Sequence, residues 1–173
     1  MIVVLLGYMG SGKSTIGSYL ANILNYDFID LDTFIELQEK SKIAEIFRTK
    51  GEIYFRKKEA QYLRDILDNS NNLVLALGGG TPCYAINMNQ ILNRQNVKSF
   101  YLRLSVSQLT DRLLNEKDKR PLISHIKTKD DLQEFIGKHL FERANYYNKS
   151  HVIIDVQNSS VKDTTEAILL HLI

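Results

Sequence analysis

Residues 7–14 read Gly-Tyr-Met-Gly-Ser-Gly-Lys-Ser and fit the spacing G-x-x-x-x-G-K-[ST]. They stand directly after an apolar run, Ile2 to Leu6, and directly before Ser14 to Leu24, where apolar residues recur at helical spacing. No other feature of the chain constrains the fold as much, because the string has a meaning only as strand, loop and helix in that order. Glycine allows positive φ and close approach of the backbone. Successive N–H groups can then curl around phosphate oxygens at a helix N-terminus, where the dipole also favours an anion. In that reading Gly10, Ser11, Gly12 and Thr15 form the cradle, Lys13 reaches the β- and γ-phosphates, and the Ser14 hydroxyl binds Mg²⁺ beside phosphate oxygens. An ordinary Gly-rich turn is the alternative, but with Gly at about 7% of residues the four fixed positions arise by chance in roughly one chain in a hundred. A nucleoside triphosphate site is therefore expected.

The pattern then repeats. Short strand-like runs follow at Asp27 to Leu31, Leu73 to Leu77, Val97 to Leu102 and His151 to Val156, with helical stretches between or after them. Such alternation predicts an α/β fold with a mostly parallel sheet and helices on both faces, where ligands bind beyond the carboxyl ends of the strands. The chain has 173 residues, 44% of them hydrophobic, enough to bury roughly 70% of the unfolded surface in one core. There is no internal repeat, low-complexity tract or linker, and the two prolines, Pro82 and Pro121, each sit in a short break. A single domain, and by default a monomer, is expected.

Charge and cysteine usage narrow the class further. With 22 basic against 20 acidic residues the net charge is +2, too small for a nucleic-acid footprint, so any anion site is local. Cys83 is the sole cysteine, which fits a reducing compartment, and a cytoplasmic location is expected. The apolar start lacks a basic leader and is cut short by glycines, so no signal peptide is expected; no run of about 18 apolar residues predicts a membrane helix. His125, His139, His151 and His171 are scattered without a zinc spacing, leaving Mg²⁺ as the only implied metal. Cys83 carries no nucleophile signature and reads as a small thiol in the core or at the surface.

Five further stretches carry chemistry, each with a plainer reading beside it. Asp30 and Asp32 are two apart, so if the strand continues they point to the same side at its end, towards the phosphates; alternatively Asp32, with Thr33 and Glu36, caps the next helix. A helix between Gly51 and Asn69 would align Arg56 with Ala60, Leu63 and Leu67, and a second would align Arg143 with Phe135, Ile136, Leu140 and Tyr147. An inward guanidinium needs a partner, either a carboxylate such as Glu59 or Glu52, or an anionic ligand. Gly78, Gly79 and Gly80 end the third strand, as a tight turn or as a place where something approaches the backbone. No acid ends that strand, so Asp30 is the candidate for holding Mg²⁺. Residues 115–129, with Lys117, Lys119 and Arg120, read as a mobile loop that closes over phosphates or as solvated charge.

Six strings in this order, G-Y-M-G-S-G-K-S, F-x-D-x-D at Phe28 to Asp32, F-R-x-x-E at Phe55 to Glu59, Gly78 to Gly80, K-R-P-L at Lys119 to Leu122 and E-R-x-x-x-Y at Glu142 to Tyr147, resemble the shikimate kinase family over almost the whole chain. The family usually places Pro and Leu before that last Tyr, where this chain has Asn145 and Tyr146. The resemblance implies one P-loop kinase domain over residues 1–173, nucleoside monophosphate kinase-like, with a parallel five-stranded sheet of order 2-3-1-4-5 flanked by helices. Its substrate region spans about 32–60 and its lid about 115–129. It implies Mg-dependent transfer of the ATP γ-phosphate to the 3-hydroxyl of shikimate, a step of chorismate and aromatic amino-acid biosynthesis. By similarity Asp32 engages the acceptor and is the candidate base, Arg56, Gly79, Gly80 and Arg143 hold the substrate, and Glu59 orients Arg56 and Asp32 from behind. Arg120 resembles the lid arginine that meets ATP phosphates, and Asp30 the residue that contacts Mg²⁺ through water. Adenine is expected near residues 156–160, with no single residue named. The rival readings are a related kinase for gluconate or a nucleoside monophosphate, and a nucleotide-binding switch without turnover.

Overall fold

The structure is a computed structural model that describes residues 1–84, 86–117 and 120–172. Lys119 of the K-R-P-L string lies outside the described residues. The chain runs β1 (Ile2–Leu6), α1 (Lys13–Leu24), β2 (Asp27–Asp30), α2 (Leu31–Glu39), α3 (Ile43–Asn69) and β3 (Leu73–Ala76). It continues through α4 (Asn87–Leu92), β4 (Val97–Arg103), α5 (Val106–Leu114), α6 (Lys129–Tyr147), β5 (Val152–Asp155) and α7 (Val161–Leu170). The strands form one sheet in the order β2-β3-β1-β4-β5, with every neighbouring pair parallel. Every residue of β1 and β3 is buried, because a central parallel strand is covered on both faces and so carries an unbroken apolar run. Helices flank the sheet: α1 packs against β2, β3 and α7, and α4 packs against β4.

Register decides where the site lies. Ile2 pairs with both Leu73 and Val97, and Asp30 pairs with Ala76, so the chain leaves β1, β2 and β3 at the same edge. The phosphate loop, the start of α2 and the three glycines are thereby gathered at the carboxyl ends of adjacent strands, the usual ligand crevice of such a sheet.

Two expectations need correction. The second strand stops at Asp30 and does not include Leu31, since Leu31 already begins α2. Asp30, not Asp32, is the cap: its side chain accepts from the Thr33 N–H at 3.2 Å, and Asp32 falls in the first turn of the helix. The helix that carries Arg56 starts at Ile43 rather than near Gly51, and it is broken at Gly51, whose φ of 82° and ψ of 167° suit glycine alone. Its buried side is made by Phe55, Glu59, Leu63, Ile66 and Leu67, which leaves Arg56 at the margin of the packed face. α6 runs unbroken through Asn145 and Tyr146.

Candidate active site

Gly12 caps α1 from the left-handed region at φ 92°, and no side chain hydrogen-bonds to the first N–H groups of that helix. Those donors remain for an anion. Lys13 Nζ, buried beneath the loop, donates to the carbonyls of Gly7 at 2.9 Å and Tyr8 at 2.8 Å. Burial pulls its pKa down to about 8; the carboxylates of Asp32 and Asp30 oppose that shift, and the charges of Arg120 and Arg143 add to it. Charges from α2, α6 and residues 115–129 therefore all act on this one ammonium.

Ser14 Oγ donates to Asp30 Oδ2 at 2.6 Å. A hydroxyl beside a carboxylate supplies the hard oxygens that suit Mg²⁺, with most of the coordination left to water and phosphate. Among the described residues no group of three or more His, Cys, Asp or Glu could hold a metal by itself. Cys83 is half-buried and its thiol pKa is pushed up to about 11 by burial, which leaves it a poor nucleophile.

The three glycines after β3 form the other half of the site. A Cβ on Gly78 would stand 2.6 Å from Asp32 Oδ1, one on Gly79 3.4 Å from Arg143 Nη1, and one on Gly80 2.9 Å from Arg56 Nη2. Side chains from α2, α6 and α3 thus meet three successive backbone positions, and at Gly78 and Gly80 a Cβ would force Asp32 or Arg56 to shift. The Asp32 carboxyl is pushed up to about 6, chiefly by burial and then by repulsion from Asp30 and Glu59, against the pull of Lys13 and Arg56. Tyr147, fully buried at the end of α6, donates from its hydroxyl to the Gly79 carbonyl at 2.5 Å and so ties the Arg143 helix to the glycine run.

Glu59 is 1% exposed and serves two partners. Its Oε2 accepts from Arg56 Nη1 at 2.8 Å and its Oε1 accepts from Thr81 Oγ1 at 2.7 Å. Arg56 therefore has the internal carboxylate partner, Glu59, with Glu52 Oε1 3.5 Å from its Nε, and its Nη2 lies against Gly80. Glu59 makes no hydrogen bond to Asp32 and acts on it only as a like charge.

Arg120 lies apart from the glycines, with its Nε and Nη2 on Glu116 Oε2 at 3.0 and 2.6 Å. The stretch around it is anchored by Ile123 and Ile126, both buried. A groove of about 310 Å³ extends from Gly10 and Thr15 past Arg112 to Val156, Ser159 and Thr164, which places the 156–160 segment beside the phosphate loop. Sequence reasoning missed Arg112, whose Nη1 donates to the Gly10 carbonyl at 3.2 Å. Its signal was a basic residue beside the buried positions Leu109 and Leu113 in the last turn of α5, after strand β4. It also missed Thr81, which nothing but its place after the glycines announced.

Comparison with known proteins agrees with this geometry. The shikimate kinase family model matches residues 9–172. A shikimate kinase of Flavobacterium johnsoniae is 46% identical over 167 residues, covering 96% of each chain. The structure of the shikimate kinase of Bacteroides thetaiotaomicron superimposes with a TM-score of 0.91 at 31% identity, over 99% of this chain and 98% of that one. That of Acinetobacter baumannii, solved in complex with shikimate, gives 0.84 at 30% identity over 99% and 92%. A phosphate loop at one strand end, an acid and two arginines gathered on bare glycine backbone at the next, and relatives matched along nearly their full length lead to one assignment: the chain belongs to the shikimate kinase family.

Proposed function

We propose that this chain transfers the γ-phosphate of ATP to the 3-hydroxyl of shikimate, giving shikimate 3-phosphate and ADP in the route to aromatic amino acids. The observation that carries it is the convergence of Asp32, Arg143 and Arg56 on Gly78, Gly79 and Gly80, on the same sheet edge as Lys13. Two guanidinium forks suit a carboxylate, and an acid beside them suits a hydroxyl on the same small ring.

In this reading Arg56 and Arg143 bind the acceptor carboxylate and set the ring against the glycine backbone. Asp32 accepts the proton of the attacking hydroxyl as its oxygen bonds to the γ-phosphorus and the bridging bond to ADP breaks. Lys13 leaves the carbonyls of Gly7 and Tyr8 for the phosphates, and Arg120 leaves Glu116 to meet them from residues 115–129, which act as the lid. Ser14 directly and Asp30 through water would hold Mg²⁺, which supplies charge neutralisation on the phosphates when bound. Most of the rate then comes from position and electrostatics.

The segment about 32–60 is the acceptor-binding part of one kinase domain. We place the protein in the cytoplasm; a single unpaired cysteine supports this, and no helix among the described residues is long and apolar enough to cross a membrane. ADP release with ATP and Mg²⁺ tests the assignment, comparing shikimate with gluconate and a nucleoside monophosphate. Turnover with shikimate alone is expected, and turnover only with another acceptor would overturn the substrate.

A further inference from the structure

Arg56 has one more neighbour that none of the motifs contains. The ring of Tyr84, just past the short turn Thr81–Cys83, lies 3.8 Å from the Arg56 guanidinium carbon. Contact this close between a guanidinium and the face of an aromatic ring is attractive, and it strengthens as water is removed. The Arg56 side chain is 18% exposed, so little water competes. The guanidinium donates from Nη1 to Glu59 at 2.8 Å, has Glu52 Oε1 3.5 Å from its Nε, and runs against Gly80. One carboxylate hydrogen bond leaves the guanidinium free to tilt, and of the two rings beside it Tyr84, at 3.8 Å, is nearer than Phe55, at 5.1 Å.

Tyr84 has no structural duty that accounts for its place. It is 37% exposed, its hydroxyl makes no hydrogen bond among the described residues, and it lines an open groove of about 570 Å³ together with Arg56 and Ile53. The backbone between Gly80 and Tyr84 is short and tied down: the Cys83 N–H donates to the Gly80 carbonyl at 2.9 Å, and Thr81, fully buried, bonds Glu59. The same turn that bares the backbone at Gly80 therefore delivers a ring to the guanidinium that Gly80 makes room for.

We propose that Tyr84 is a positioning residue for the acceptor: by stacking on Arg56 it holds the guanidinium fork in the plane that meets the acceptor carboxylate. This rests on the shikimate reading above. A ring that only fills surface would have no kinetic signature, whereas a ring that aims Arg56 changes how tightly the acceptor is held and leaves the ATP side alone.

The test is steady-state kinetics of Tyr84→Ala, Tyr84→Phe, Arg56→Lys and the Tyr84→Ala/Arg56→Lys double variant, with shikimate and ATP varied separately. Tyr84→Ala is expected to raise the shikimate KM by about 3- to 30-fold, the range of a stacked cation, with a smaller change in kcat and none in the ATP KM. Tyr84→Phe keeps the ring and is expected to behave as the wild type. In the Arg56→Lys background the alanine change is expected to add less than about 2-fold, because the partner it acts through is gone. An unchanged shikimate KM in Tyr84→Ala, an equal defect in Tyr84→Phe, or a full additive effect in the double variant would each overturn the proposal. Wild-type protein that turns over another acceptor but not shikimate would overturn the functional reading and this inference with it. Melting temperatures of Tyr84→Ala and Tyr84→Phe, expected to stay close to that of the wild type, separate a kinetic effect from loss of fold.

Discussion

The Glu59 carboxylate, all but sealed from solvent, accepts the Arg56 guanidinium at 2.8 Å one helical turn away. Its other oxygen is taken by Thr81, so the acid that holds the arginine is itself held from the glycine turn. A buried carboxylate with two donors tolerates neither the loss of its charge nor the loss of its shape.

Glu59→Gln keeps the shape and a hydrogen bond to Thr81 but removes the charge from the Arg56 pair. Stability is expected to fall by about 1–3 kcal/mol, the scale of a charge-assisted hydrogen bond, and the shikimate KM to rise. Calorimetry and kinetics with shikimate varied check this, and a variant with unchanged melting and unchanged KM would show that the pair is incidental.

As the proposed base, Asp32 is expected to set the acid limb of activity. With its carboxyl at about 6 in the folded protein, turnover is expected to drop about tenfold per pH unit below that value, because only the ionised form accepts the hydroxyl proton. The same shift has a stability sign. A folded pKa raised above the unfolded one favours the protonated state, so the contribution of this group falls as pH rises from about 4 to about 6 and stays low above. Asp32→Asn is therefore expected to lower kcat by about 10²–10⁴-fold while raising the melting temperature at pH 7. Near-normal turnover would reject the base, and a lowered melting temperature would reject the electrostatic account.

Lys13 predicts proton uptake. At pH 8 about half of a buried ammonium with a pKa of about 8 is neutral, and the phosphates of ATP restore its charge. ATP binding at pH 8 is expected to take up about half a proton, and much less at pH 7. Titration calorimetry in buffers of different ionisation enthalpy measures this; Lys13→Met should abolish the uptake and weaken binding, and uptake that survives the substitution would place the proton elsewhere.

Adding single methyl groups to the glycine run separates its three contacts. Gly80 has φ −89° and ψ −18°, which alanine adopts without strain, so Gly80→Ala is expected to fold and to displace the Arg56 fork, raising the shikimate KM. Gly78→Ala meets Asp32 instead and is expected to act mainly on kcat. Circular dichroism with kinetics checks both, and identical kinetic profiles would mean that the two glycines do not address different side chains.

The phosphate loop and the strands were readable because each rests on a local signal: an unbroken apolar run, a helical period, a glycine where the backbone must turn; the strand order came only with the family resemblance. The two arginines were readable as charges at inward spacings, though for Arg56 the spacing overstated burial, since Phe55 and Glu59 hold the packed face, and Asp32 was readable only through the family resemblance. The strand end at Asp30 was misplaced because F-I-D-L-D alternates like a strand, and only the bond from the Thr33 N–H to the Asp30 side chain shows that the helix has begun. Arg112 carries only the signal of a basic residue beside two buried leucines, and Thr81 and Tyr84 carry none of that kind. Their neighbours are 102, 22 and 28 positions away in the chain, so only tertiary packing joins them to the site.

The glycine run also sets what can be changed when a different acceptor is wanted. One wall of the proposed acceptor site is main chain with nothing attached, so it offers no side chain to trim or lengthen, and a methyl on Gly78 or Gly80 would meet the Asp32 or the Arg56 side chain. Redesign, whether by selection or in the laboratory, is pushed to the opposing ends of α2, α3 and α6, where a substitution alters reach and charge while that wall keeps its shape.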